Sequence, residues 1–232
     1  MKGILYGDFL LNRKWFLAAG ITAVFCTAAC VILLFTLEKT PENAQIIGTF
    51  FIMSEIIVLA LCGEWHARNL EQNIKCRFTD YTLASGISKN MFVLSELLKN
   101  LITVVIGFTM CAAMNGVMGA FDSSFWSIDD IKFLIAATLL ISVVNWILIP
   151  LVIKLKSAEK AGVVVGLVLG FGVVCPLMIM FKVLDNGADV LAALMDLVNK
   201  AWFFPAFLGA CAALYAIFYA IILHRVKWGD VC

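Results

Sequence analysis

Two histidines, one isolated glutamate and a glutamate–lysine pair are the residues whose types best suit them to chemistry, and none stands in a catalytic neighbourhood. His66 and His224 lie at the edges of long apolar runs, where an interfacial polar contact accounts for them as well as a ligand role does. Glu55 sits near the middle of the apolar run 45–63. A carboxylate at that depth in a bilayer costs roughly 3 kcal/mol or more unless it faces protein or water. It therefore lines a cavity or gate, or it is a hydrogen-bonded glutamate that holds helices together. Glu96 and Lys99 fall at one end of the run 92–120, at a spacing that suits an ion pair within one helix, close enough to the membrane surface to reach it. The sequence contains no G-x-S-x-G elbow, no H-E-x-x-H pair and no G-x-x-x-x-G-K-[ST] phosphate loop. Of the eight cysteines, Cys26, Cys30, Cys62, Cys111, Cys175 and Cys211 lie inside apolar runs, where a small soft side chain serves packing, and no metal-like spacing accompanies them. The chain therefore reads as no enzyme in itself, with no cofactor of its own.

The elements that must position these residues are membrane helices. Apolar residues make up 63% of the 232, charged residues only 14%, and the mean hydropathy is +1.00. Soluble domains carry about 25% charged residues and cannot hide so much apolar surface. Six stretches supply the roughly 20 residues that a helix needs to cross a hydrocarbon core about 30 Å thick: 15–37, 45–63, 92–120, 131–153, 161–183 and 201–223. They do not alternate apolar and polar as barrel strands do, so the expected fold is all-α, a single polytopic domain over 1–232. With the N-terminus inside, thirteen of the 17 lysines and arginines fall on or near the cytoplasmic side, leaving Lys39, Lys132, Lys182 and Lys200 outside. That asymmetry predicts a plasma-membrane protein with both termini cytoplasmic.

Several segments outside the spans have patterns of their own. Met1–Lys14 is weakly amphipathic and reads as an N-terminal interfacial helix. In the loop 64–90, Leu70, Ile74 and Phe78 recur every fourth residue, with Tyr81 three further on, among Arg68, Glu71, Lys75, Arg77 and Asp80. This predicts a cytoplasmic helix over Arg68–Tyr81 with a narrow apolar stripe, too polar to span. Asp185–Lys200 places its acids on one face and Leu191, Leu194 and Leu197 on the other, an outer amphipathic helix before the last span. Span five carries Gly162, Gly166 and Gly170, two overlapping G-x-x-x-G units that allow another helix to approach closely, and Pro176, which would kink it. Span one offers a matching smooth face of Ala19, Ala23, Cys26 and Cys30. Asn115 and Asn145 read as interhelical hydrogen-bonding residues rather than substrate ligands.

The order of these parts resembles the small permease subunits of bacterial type-2 ABC exporters. The opening MKGILYGDFLLNRKW is similar to their N-terminal interfacial helix, and FTDYTLASGISKNMFVLSELLKN to the stretch before span three. There the family often has a leucine-proline-variable-serine-arginine sequence. Here Leu83-Ala84-Ser85-Gly86-Ile87-Ser88-Lys89 lacks the proline. The closing LHRVKWGDVC is similar to the family's short charged tail. Within the family the chain most resembles permeases of Gram-positive exporters of amphipathic peptides, including phenol-soluble modulins. The resemblance implies two permease copies, as a homodimer, and two copies of a separate ATPase that holds ATP and Mg. It implies that Arg68–Tyr81 is the coupling helix seated on that ATPase, and that spans one and five border the dimer interface. Its substrate would be a peptide, its surroundings the lipid bilayer of the bacterial cell membrane, and it would have no nucleic-acid partner. Two other classes remain open: a secondary transporter or channel working without ATP, and a non-transporting membrane scaffold or immunity protein.

Overall fold

The computed structural model describes residues 13–38, 40–76, 88–122, 128–169, 200 and 202–225. Among the described residues there are six helices and no strands: α1 (Lys14–Thr36), α2 (Pro41–Lys75), α3 (Lys89–Phe121), α4 (Ile128–Leu155), α5 (Ala158–Leu169) and α6 (Phe203–Arg225). Their starts have local causes. Thr40 Oγ1 accepts the Asn43 N–H at 3.3 Å, and Pro41, which has no N–H to satisfy, takes the first helical position of α2. Ser88 caps α3 through the Met91 N–H and Ser157 caps α5 through the Lys160 N–H, both at 3.3 Å. Between α4 and α5, Lys156 has φ 52°, a left-handed conformation that costs a side-chain-bearing residue about 1–2 kcal/mol.

Five helices are long and apolar enough to cross a membrane: Lys14–Thr36, Ile46–Lys75, Lys89–Phe121, Ile131–Leu155 and Phe203–His224. Their outward faces make the same point. Val24, Phe25 and Phe35 are 72–74% exposed, and α6 exposes Leu208, Leu214, Ile217 and Ile221 along its length. Water would not tolerate so continuous an apolar surface, whereas acyl chains cover it at no cost. These helices suggest a multi-pass membrane protein. The described residues group into two compact units, one from Met1–Asn69 and Ser95–Ser142, the other from Leu70–Leu94 and Val143–Cys232.

In the first unit α1, α2 and α3 run up, down and up. Phe16 of α1 packs on Trp65 of α2 with ring centroids 4.8 Å apart, and Phe35 meets Phe121 of α3 edge to face at 5.9 Å. Ala19, Ala23 and Cys30 of α1 join Val58, Leu59, Cys62 and Trp65 of α2 and Cys111, Met114 and Met118 of α3 in one buried cluster. Gly107 is the close-approach point of α2 and α3, because a Cβ there would stand 3.0 Å from Leu59 Cδ2 and 3.5 Å from Cys62 Cβ. In the second unit Trp146 of α4 stacks on Tyr215 of α6 at 5.6 Å and donates its indole N–H to the Tyr215 carbonyl at 3.1 Å. α4 runs on through Pro150, which withdraws the donor that the Trp146 carbonyl would otherwise receive.

Several expectations change in detail. Span two does not end near Cys62: α2 continues unbroken into the loop assigned to 64–90 and runs to Lys75. The first part of the expected coupling helix is therefore the end of a span, not a separate element. Of its apolar stripe, Leu70 and Ile74 are already buried within the chain. Gly162 and Gly166 are exposed, and among the described residues no atom of another helix lies within 4 Å of an added Cβ at either. The N-terminal interfacial helix, the outer amphipathic helix, Gly170 and Pro176 lie outside the described residues, as do Arg77, Phe78, Asp80 and Tyr81.

Candidate functional site

The buried face of α3 changes character along its length. Met118, Met114 and Cys111 occupy it at one end, and Thr103, Asn100 and Glu96 continue the same helical stripe at the other. All six are buried, so the stripe becomes a polar seam inside the first unit. A polar seam in such a place has to be internally bonded, because lipid offers nothing in exchange.

The bonds are present. Glu96 Oε1 accepts from Lys99 Nζ at 2.6 Å and Glu96 Oε2 lies 2.9 Å from His66 Nε2 on α2. His66, Glu96 and Lys99 are each 1% exposed. One turn on, Asn100 Nδ2 donates to the Ser142 carbonyl of α4 at 3.1 Å and reaches the Ser142 hydroxyl at 3.4 Å. Thr103 Oγ1 donates back to the Lys99 carbonyl at 2.9 Å. The seam thus ties α2, α3 and α4 together at one level, where the apolar part of α3 begins. Glu96 and Lys99 do form the ion pair their spacing predicted, and both side chains are buried within the protein. The neighbouring helices close over them. His66 is likewise buried inside the protein.

Glu55 occupies a separate and deeper position. Asn115 of α3 donates its Nδ2 to Glu55 Oε1 and, with its other hydrogen, to the Cys111 carbonyl at 3.0 Å. The Cys111 thiol points at the Glu55 carbonyl oxygen at 3.7 Å. Glu55 is therefore bonded across the α2–α3 interface, and Asn115 has the interhelical role its type suggested. Asn145 is buried too.

The other sequence candidates scatter. Arg68 pairs with Glu64 at 2.6 Å and lies 6.0 Å from the Trp15 ring, while Glu71 is buried and pairs with the exposed Lys75 at 2.6 Å. Ala19 and Ala23 are covered by the chain's own α2 and α3, so a dimer contact through them would have to displace those helices. Cys26 is half-buried beside them. Among the described residues no group of histidine, cysteine and acidic side chains is arranged to hold a metal ion, and the cysteines Cys26, Cys30, Cys62, Cys76, Cys111 and Cys211 are unpaired thiols. Sequence reading missed the joining of His66 to the Glu96–Lys99 pair, since 30 residues separate His66 from Glu96. It also missed Gly107, which stands four residues from Cys111 and eight from Asn115 on the same face. That small-residue spacing was the available signal.

No family model matches the chain, and neither a curated protein nor a solved structure is significantly similar to it. What fold and site define together is a multi-pass α-helical membrane protein with a charged seam inside one helical unit.

Proposed function

We propose that this chain is the transmembrane permease subunit of an ATP-driven ABC exporter, working as a dimer with a separate ATPase and exporting amphipathic peptides. The observation that carries the reading is the length of α2. Its 35 residues extend about 52 Å at 1.5 Å per residue, well beyond a core of about 30 Å. The excess is its polar C-terminal end, laced by the Glu64–Arg68 and Glu71–Lys75 pairs. A helix that runs rigidly from a span into the aqueous side is suited to carry motion from a soluble motor into the membrane. The sequence has no phosphate-binding loop, so on this reading the motor is a separate chain. A six-span topology, with both termini cytoplasmic, accounts for α4 and α6 running in the same direction.

The docking surface on this reading is the exposed end of α2, with Gln72, Lys75 and Cys76, and not the buried Leu70 and Ile74. Purification in mild detergent should bring down an ATPase with vanadate-sensitive turnover. Cys76→Glu should release that ATPase while leaving the thermal stability of the permease within about 0.5 kcal/mol of the original, since Cys76 is exposed. If no ATPase accompanies the intact chain from its native membrane, the exporter reading fails.

The His66–Glu96–Lys99 cluster favours a second reading, a secondary transporter driven by an ion gradient, because buried ionisable chains mark proton paths in such proteins. Reconstituted vesicles separate the two. Uptake driven by a pH gradient without any ATPase would support the transporter and exclude the exporter.

A further inference from the structure

The second unit contains a cleft of about 560 Å³ that the permease reading does not use. It lies where the C-terminal ends of α4 and α6 run side by side, walled by Ile147, Leu151, Phe218 and Ile221, with Lys154 and Lys156 at its rim. Its volume falls within the roughly 300–1,000 Å³ of small-molecule sites. Its lining is divided by height: apolar along the two helices and cationic where α4 ends. Both lysines are exposed, and Lys154 makes no ion pair or hydrogen bond among the described residues. Residues 154–160 hold three lysines against the single acid Glu159. Lys156 holds its place in a left-handed backbone conformation that glycine would take more cheaply, and strain of that kind persists where position matters.

From this charge and shape complementarity we infer that the cleft is a binding site for one anionic phospholipid. An acyl chain lies along Ile147, Leu151, Phe218 and Ile221, and the phosphate sits between Lys154 and Lys156. The occupant is a lipid rather than a free anion because most of the wall is hydrocarbon and the site is at a helix end, the level of a headgroup. The inference depends on the chain lying in a membrane and not on its being a permease.

The test uses the purified full-length chain in neutral detergent. Native mass spectrometry and thermal unfolding are followed with phosphatidylglycerol, phosphatidylcholine or inorganic phosphate added. Phosphatidylglycerol should remain bound and raise the unfolding temperature, and the other two should do neither. Neutralising one lysine should weaken binding about fivefold. Lys154→Gln with Lys156→Gln should abolish the shift, and Lys154→Arg with Lys156→Arg should retain it. Ile221→Trp fills the cleft while leaving both charges, and it should also lose the lipid, which keeps the test decisive if the double glutamine variant folds poorly. Equal binding of phosphatidylcholine would overturn the inference, as would displacement of phosphatidylglycerol by millimolar phosphate or full binding to a folded Ile221→Trp variant.

Discussion

Glu96 is the residue on which the first unit depends most directly for its electrostatics. Its two oxygens are divided between Lys99 and His66, and all three groups are removed from solvent. Removing one partner of a buried pair leaves an uncompensated charge, which costs about 3–5 kcal/mol. Glu96→Gln should therefore lower thermal stability in detergent by about that much. Glu96→Leu combined with Lys99→Met and His66→Leu should recover most of the loss, since an apolar replacement of the whole cluster is close to neutral. Equal melting of Glu96→Gln and the unaltered protein would show that the cluster is hydrated after all. The Glu55–Asn115 bond is a milder case. A double-mutant cycle with Glu55→Ala and Asn115→Ala should give a coupling of about 0.6 kcal/mol and no more than about 1.7, as for other hydrogen bonds between membrane helices. The spacing of Glu96 and Lys99 was enough to foresee their pairing. Their burial was not foreseeable, because a three-residue spacing says that two side chains share a face and nothing about what packs opposite.

At the level of helices, the glycines differ in the contacts they make among the described residues. A Cβ at Gly107 would already stand 3.0 Å from Leu59 Cδ2 and 3.5 Å from Cys62 Cβ, so Gly107→Leu has to push α2 and α3 apart. Overpacking of this kind costs about 1–3 kcal/mol, readable as a lowered melting temperature of the isolated chain. Gly166→Leu meets open space and should leave that temperature within about 0.5 kcal/mol of the original. An effect of Gly166→Leu on assembly with the melting temperature unchanged would report a contact made from outside the described residues. Ile74→Ser belongs with Gly107: Ile74 is buried, so its replacement should destabilise the fold itself and cannot serve as a clean probe of ATPase coupling.

For the molecule as a whole, the thirteen-to-four distribution of basic residues makes a directional prediction. With other reactive cysteines replaced, Cys76 at the end of α2 should resist a membrane-impermeant thiol reagent until the cells are permeabilised, whereas a cysteine introduced at Asp122 should react from outside. Labelling of Cys76 in intact cells would invert the map. The exposed apolar faces of α1 and α6 lead to a further expectation: the chain should stay monodisperse only in detergent or lipid.

The sequence by itself determined that this is an all-helical membrane protein, because each span must satisfy its own backbone and bury its own length in lipid, and both demands act within about 20 consecutive residues. It determined the pairing partners within a helix for the same reason of locality. Only the tertiary structure decided where α2 stops: periodicity continues smoothly from Cys62 to Ile74, and burial, not spacing, distinguishes a span that runs on from a separate helix. Tertiary structure alone also brought His66 to Glu96, gave Gly107 its close contact with α2, and made a two-lysine cleft from the ends of α4 and α6. Each of these joins residues on different helices, and no pattern along one helix records which neighbour will face it.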